Sequence, residues 1–188
     1  CSSNIEKGNK QANPTEKLKE TNIHTKGDCT VAMNLIESGK FDIQILTTLN
    51  SYGVDWMEID DHGNNVLHYL LLPQNEGNRT NVILVMEGII SKVSKVHLRK
   101  FINGKDDNNN TPLHLACFCR LTNKLGKKER IGVIKLLLQL GADVNDVNSW
   151  NQTPLNCLLN CRCRSFELAS ILIKGMSKIS INIPCQGG

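Results

Sequence analysis

Thr111-Pro112-Leu113-His114-Leu115-Ala116 is the stretch on which the reading of this chain turns. Threonine is a good helix N-cap, and proline is tolerated in the first helical turn, where no backbone N–H is needed. Together they predict a helix starting at residue 112, with Leu113 packed inward. Asn108-Asn109-Asn110 precedes it and predicts a tight turn. Downstream, residues 131–140 form an apolar helical run that ends at Gly141. The unit is therefore a turn, a helix, a connection, a second helix and a glycine.

The unit returns on both sides. Thr153-Pro154-Leu155-Asn156 aligns with the first phrase, and Asn65-Val66-Leu67-His68 is a degenerate third copy. The offsets are 42 residues (153 − 111) and 46 residues (111 − 65). Further second helices are expected at 79–90 and 166–174. Earlier in the chain, Val31, Ala32, Leu35 and Ile36 recur at helical spacing until Gly39. A second apolar run from Phe41 to Leu49 ends at Gly53, which suggests a helical hairpin. Repetition on this scale predicts an all-α stack in which each unit covers its neighbour's apolar face.

Composition agrees. Of 188 residues, 40% are hydrophobic but only 4% aromatic, which suits a helical stack of Leu, Ile, Val and Ala better than a sandwich or a pocketed enzyme. The net charge of +4 forms no dense cationic stripe, so direct nucleic-acid binding is not expected. No run of 18 apolar residues predicts a membrane span. The eight cysteines are irregularly spaced and read as reduced thiols. Asn109-Asn110-Thr111 and Asn151-Gln152-Thr153 fit the glycosylation pattern but fall in tight turns, where a glycan would block packing. An intracellular protein, cytoplasmic and/or nuclear, is expected. The polar opening at Cys1 reads as the cut end of a longer chain.

Residues 106–116, and 133–148 with Val133-Ile134-Lys135-Leu136-Leu137-Leu138 and Gly141-Ala142-Asp143-Val144-Asn145, resemble the ankyrin repeat. The resemblance covers about 28–182. It implies a solenoid of helix–turn–helix units with projecting β-turns, in four repeats at about 28–58, 59–104, 105–147 and 148–182. Residues 1–27 are expected to be a flexible polar segment, and 183–188 the start of a further repeat or a cut end. Relative to the family's period, extra length is expected at 73–78, 92–100 and 120–128. Gly63 holds the family's turn glycine, whereas Asn109 and Asn151 replace it elsewhere; asparagine also tolerates the left-handed region.

The resemblance assigns His68 and His114 to structural capping across the turn rather than to catalysis. The cysteines at 117, 119, 157, 161 and 163 lack a paired C-x2-C framework, so core thiols are preferred to a metal site. Lys92, Lys95, Arg99 and Lys100 form one basic cluster, and Lys124, Lys127, Lys128 and Arg130 another; both read as solvated faces able to steer an acidic protein. Trp56 aligns with Val144 and is expected between repeats. Trp150 falls at a turn tip.

No catalytic residue, metal or cofactor is expected. The family implies a protein partner on the concave face. The candidate contacts are Asp61, His62, Asp107, Asn108, Ser149 and Trp150 at the tips, with Tyr69, Phe118, Arg120 and Arg162 on the first helices. The context of Asn145 resembles that recognised by asparaginyl hydroxylases, which makes it a possible modification site. The fragment is expected to be monomeric. Three roles follow from the family: a scaffold module, a transcription-regulatory module resembling inhibitors of Rel-type factors or Notch-type intracellular domains, or a viral or bacterial host-directed adaptor.

Overall fold

The computed structural model describes residues 30–72, 81–118, 126–160 and 165–176. Among them the chain forms helices and no strand. The first hairpin is α1 (Val31–Glu37) and α2 (Ile43–Ser51). The second holds α3 (Val66–Leu71) and α4 (Val82–Ile90), followed by α5 (Lys95–Ile102). The third is α6 (Pro112–Cys117) with α7 (Lys127–Gln139), and the fourth is α8 (Pro154–Leu159) with α9 (Phe166–Gly175).

Local sequence starts each inner helix. Thr30, Asn65, Thr111 and Thr153 sit at N-caps, and their side-chain oxygens accept the amides of Met33, His68, His114 and Asn156. Each cap satisfies a helix-end donor that has no partner within the helix. Glycines in the left-handed region follow α1, α2 and α7 at Gly39, Gly53 and Gly141, with φ of 69°, 71° and 91°.

Packing then follows chain order. The inner helices α1, α3, α6 and α8 contact one another in series, and so do the outer helices α2, α4, α7 and α9. One continuous core runs between the two rows, through Ile36, Leu67, Met86, Leu113, Ile134 and Leu172. Burying each such side chain contributes about 2 kcal/mol relative to leaving it exposed. No described helix is long and apolar enough to cross a membrane.

Some expectations are corrected. Phe41 precedes α2 rather than lying in it, and meets Trp56 edge to face at 6.5 Å between ring centres. Trp56 is buried as expected, and its indole N–H donates to Asn50 Oδ1 at 2.9 Å. The extra length at 92–100 is not merely a charged loop: it forms most of α5, whose Phe101 and Ile102 are buried. Helix α7 begins at Lys127, a turn earlier than its apolar run suggests. Arg130 does not belong to a solvated face. It is buried, and its guanidinium donates to the carbonyls of Ala116 (3.0 Å) and Cys117 (2.6 Å) at the end of α6. A cation there meets the negative end of the helix dipole. The segments 1–27 and 183–188, the extra length at 73–78 and most of that at 120–128 lie outside the described residues.

Candidate functional site

Between the hairpins the chain projects as three fingers of one design. The amides of Asp60, Asp106 and Asn148 donate to the carbonyls of Asn64, Asn110 and Gln152 at 2.9–3.1 Å. The side chains of the same three residues fold back over the turn. Asp60 Oδ1 accepts the amides of His62 and Asn64; Asp106 Oδ1 accepts those of Asn108 and Asn110; Asn148 Oδ1 accepts those of Trp150 and Gln152. Each turn closes through a left-handed residue: Gly63 (φ 74°), Asn109 (56°) and Asn151 (55°). The two asparagines therefore do replace the glycine. Sequence reasoning missed the hub residues 60, 106 and 148, although they stand at the same 46- and 42-residue offsets as the caps.

Adjacent fingers are bonded to each other. The Asp107 amide donates to the His62 carbonyl at 2.8 Å, and the Ser149 amide to the Asn108 carbonyl at 2.9 Å. The buried histidines bond across the same junctions. Nδ1 of His68 accepts the Asn65 amide at 3.1 Å, which leaves Nε2–H to donate to the Asn110 carbonyl at 3.1 Å. His114 repeats this, with Nδ1 accepting the Thr111 amide at 3.2 Å and Nε2 donating to the Gln152 carbonyl at 3.0 Å. Burial pushes both imidazole pKa values below the usual range, and the carbonyl bonds offset this only in part. Both rings are thus neutral joinery, and they have the wrong surroundings for a general base.

The tips are different. His62 Nδ1 lies 3.0 Å from Asp107 Oδ2, with both side chains exposed. The Asp107 carboxylate, by hydrogen bond and charge, raises the pKa of His62 above the ordinary histidine value. Asn109 Nδ2 donates to Ser149 Oγ at 2.9 Å. Trp150 is 47% exposed, and Asp61, Asn108 and Ser149 are also exposed. The structure therefore brings Asp61, His62, Asp107, Asn108, Ser149 and Trp150 onto one row of tips.

The inner-helix candidates fare less well. Tyr69 is corrected: it is buried, and its hydroxyl donates to Asp60 Oδ2 at 2.8 Å, so it braces the finger instead of facing a partner. Burial pushes the Asp60 carboxyl up, but hydrogen bonds from Asn64, Tyr69 and two amides outweigh this and hold it below the usual range. Phe118 caps the C-terminal end of α6 and is half-buried against the core. Arg120 and Arg162 lie outside the described residues, as do Cys119, Cys161 and Cys163. Cys117 and Cys157 are buried. No group of three metal-ligating side chains occurs among the described residues. Asn145 is half-buried, and its side-chain and backbone N–H groups both reach Asp143 Oδ1, at 3.3 and 2.8 Å.

Helical hairpins stacked in two rows, with bonded fingers, define a tandem-repeat solenoid. The ankyrin repeat family matches residues 108–149. The chain is 35% identical over 89 residues to a putative ankyrin repeat protein of fowlpox virus, covering 45% of this chain and 18% of that protein. It is also 26% identical over 168 residues to the NAD-dependent deacetylase sir2B of Dictyostelium discoideum, covering 82% of this chain and 20% of the deacetylase. The chain thus spans about a fifth of the length of these relatives. The chain contains an ankyrin repeat at residues 108–149 and resembles ankyrin-repeat proteins. The family points to a non-enzymatic, protein-binding module, and the deacetylase likeness is too distant to establish catalysis.

Proposed function

We propose that this chain presents its finger tips, and the concave side they border, to a protein partner. One observation carries the reading. The finger backbones are consumed by their own hubs and by the neighbouring finger, while Asn108, Ser149 and Trp150 are held exposed on a fixed frame. A rigid row of exposed side chains binds with little ordering cost. Trp150 is the anchor, because a large ring that is half-exposed before binding gains most from being covered.

The test is a pull-down from cell extract, comparing the wild type with Asn108→Ala/Trp150→Ala and with Lys135→Glu on the outer face of α7. Circular dichroism checks the fold of all three. Partners lost only by the tip variant support the reading; partners lost equally by both variants, or by neither, sink it. An intracellular setting, and modification at Asn145, belong to the same proposal.

A further inference from the structure

Helix α5 is additional to the hairpin pattern, and it builds a second surface that runs up to the first finger at Gly63. Two cavities, of about 380 and 530 Å³, lie along it. Both are bordered by Asp55, Met57 and His97, so they are two halves of one groove between α5 and the segment after α2. Their volumes fall in the range that holds a ligand or a few side chains.

The groove has a charge pattern. Lys92 lines one half, and Lys100 and Lys105 line the other. Lys105 is bonded to Asp146 at 2.7 Å. Lys92 and Lys100 have no ion-pair partner among the described residues and are exposed. The rest of the lining mixes Met57, Ile59 and Val93 with the polar side chains of Asp55, Ser94 and His97. Met57 is half-buried and Ile59 is 63% exposed, beside the single carboxylate of Asp55. Asp55 would repel an acid at the centre, whereas the two ends attract one.

We infer that this groove binds an extended peptide segment of a protein partner, with two acidic residues flanking apolar ones. Lys92 and Lys100 take the acids, and Met57 and Ile59 take the apolar side chains. An extended peptide advances about 3.3 Å per residue, so acids three positions apart stand about 10 Å from each other. The groove reaches the first finger at Gly63 but is lined by none of Asp61, His62, Asp107, Asn108, Ser149 and Trp150, so tip variants and groove variants test different side chains.

The test is fluorescence anisotropy on the full chain with a labelled Gly-Glu-Leu-Leu-Glu-Gly peptide, with its Gln-for-Glu analogue and an oligo-dT of equal charge as competitors. Lys92→Glu/Lys100→Glu is expected to weaken binding at least tenfold and Ile59→Ser several-fold. Lys135→Glu and Trp150→Ala should leave it unchanged. Circular dichroism must show each variant folded. The inference is overturned if Lys135→Glu costs as much as the double variant, which would mean net charge alone. Equal binding of the Gln analogue, tighter binding of oligo-dT, or self-association through this face in sedimentation would also overturn it.

Discussion

Thr30 and Thr111 cap their helices in the same way, yet three residues later Met33 stands where His114 stands. The first hairpin carries a buried thioether at this position in place of the imidazole. The second and third hairpins meet their successors with a neutral imidazole that donates to a finger carbonyl 38–42 residues away. One fold therefore joins its units by two kinds of chemistry. The apolar joint depends on shape and volume. The imidazole joints depend on direction and on protonation state, because only the neutral ring can both accept at Nδ1 and donate at Nε2.

The comparison can be attacked from either side. Met33→Ala opens a cavity in the first joint and should cost about 3 kcal/mol in urea unfolding, equally at pH 5 and pH 8. A loss that varies with pH would mean the joint is not purely apolar. His114→Ala leaves the Thr111 amide and the Gln152 carbonyl without the ring, and should cost about 2 kcal/mol at pH 8 but less at pH 5. The sign follows from the pKa shift. His68 and His114 have folded-state values below their unfolded ones, so their contribution is complete above about pH 6.5 and is lost as pH falls through the folded values. Wild-type stability should therefore decline on acidification below 6.5, and a His68→Leu/His114→Leu variant should decline less steeply.

Smaller effects separate the fingers. A Cβ on Gly63 would lie 2.7 Å from the Lys105 carbonyl, and the residue is also left-handed, so Gly63→Ala should cost between about 1 and 2 kcal/mol. Asn109→Gly, at the equivalent turn, should cost less than about 1 kcal/mol by thermal melting, since it loses only the contact to Ser149. The least effect is expected at the exposed His62–Asp107 pair. Its contribution is present below pH 6.5 and fades as pH rises through the elevated His62 value. An NMR titration of the His62 ring should show that value drop in Asp107→Asn with little change in melting temperature.

The repeat was legible because its signals are local. Thr111-Pro112 fixes a helix start, Gly141 fixes a helix end, and their spacing repeats. The positions and exposure of the tip residues were legible for the same reason, since a turn tip has few ways to be buried. What escaped depends on partners distant in sequence. Arg130 sits beside Lys127 and Lys128 and reads as one more surface cation; only the folded hairpin sets it against the carbonyl end of α6. Tyr69 reads as an inner-face residue until Asp60, nine positions back, captures its hydroxyl. Helix α5 has four basic side chains among its eight residues, counting His97, and Leu98, Phe101 and Ile102 are the residues that pack on the core.

The bonds between fingers also have a mechanical meaning. The Asp107 and Ser149 amides and the two imidazoles all link one unit to the next, so tension along the stack falls directly on them. They act as rungs loaded in series, and the whole can bear no more than its weakest rung. Pulled from its ends, the molecule should yield in discrete steps, one junction per step, with each broken junction leaving its neighbours folded.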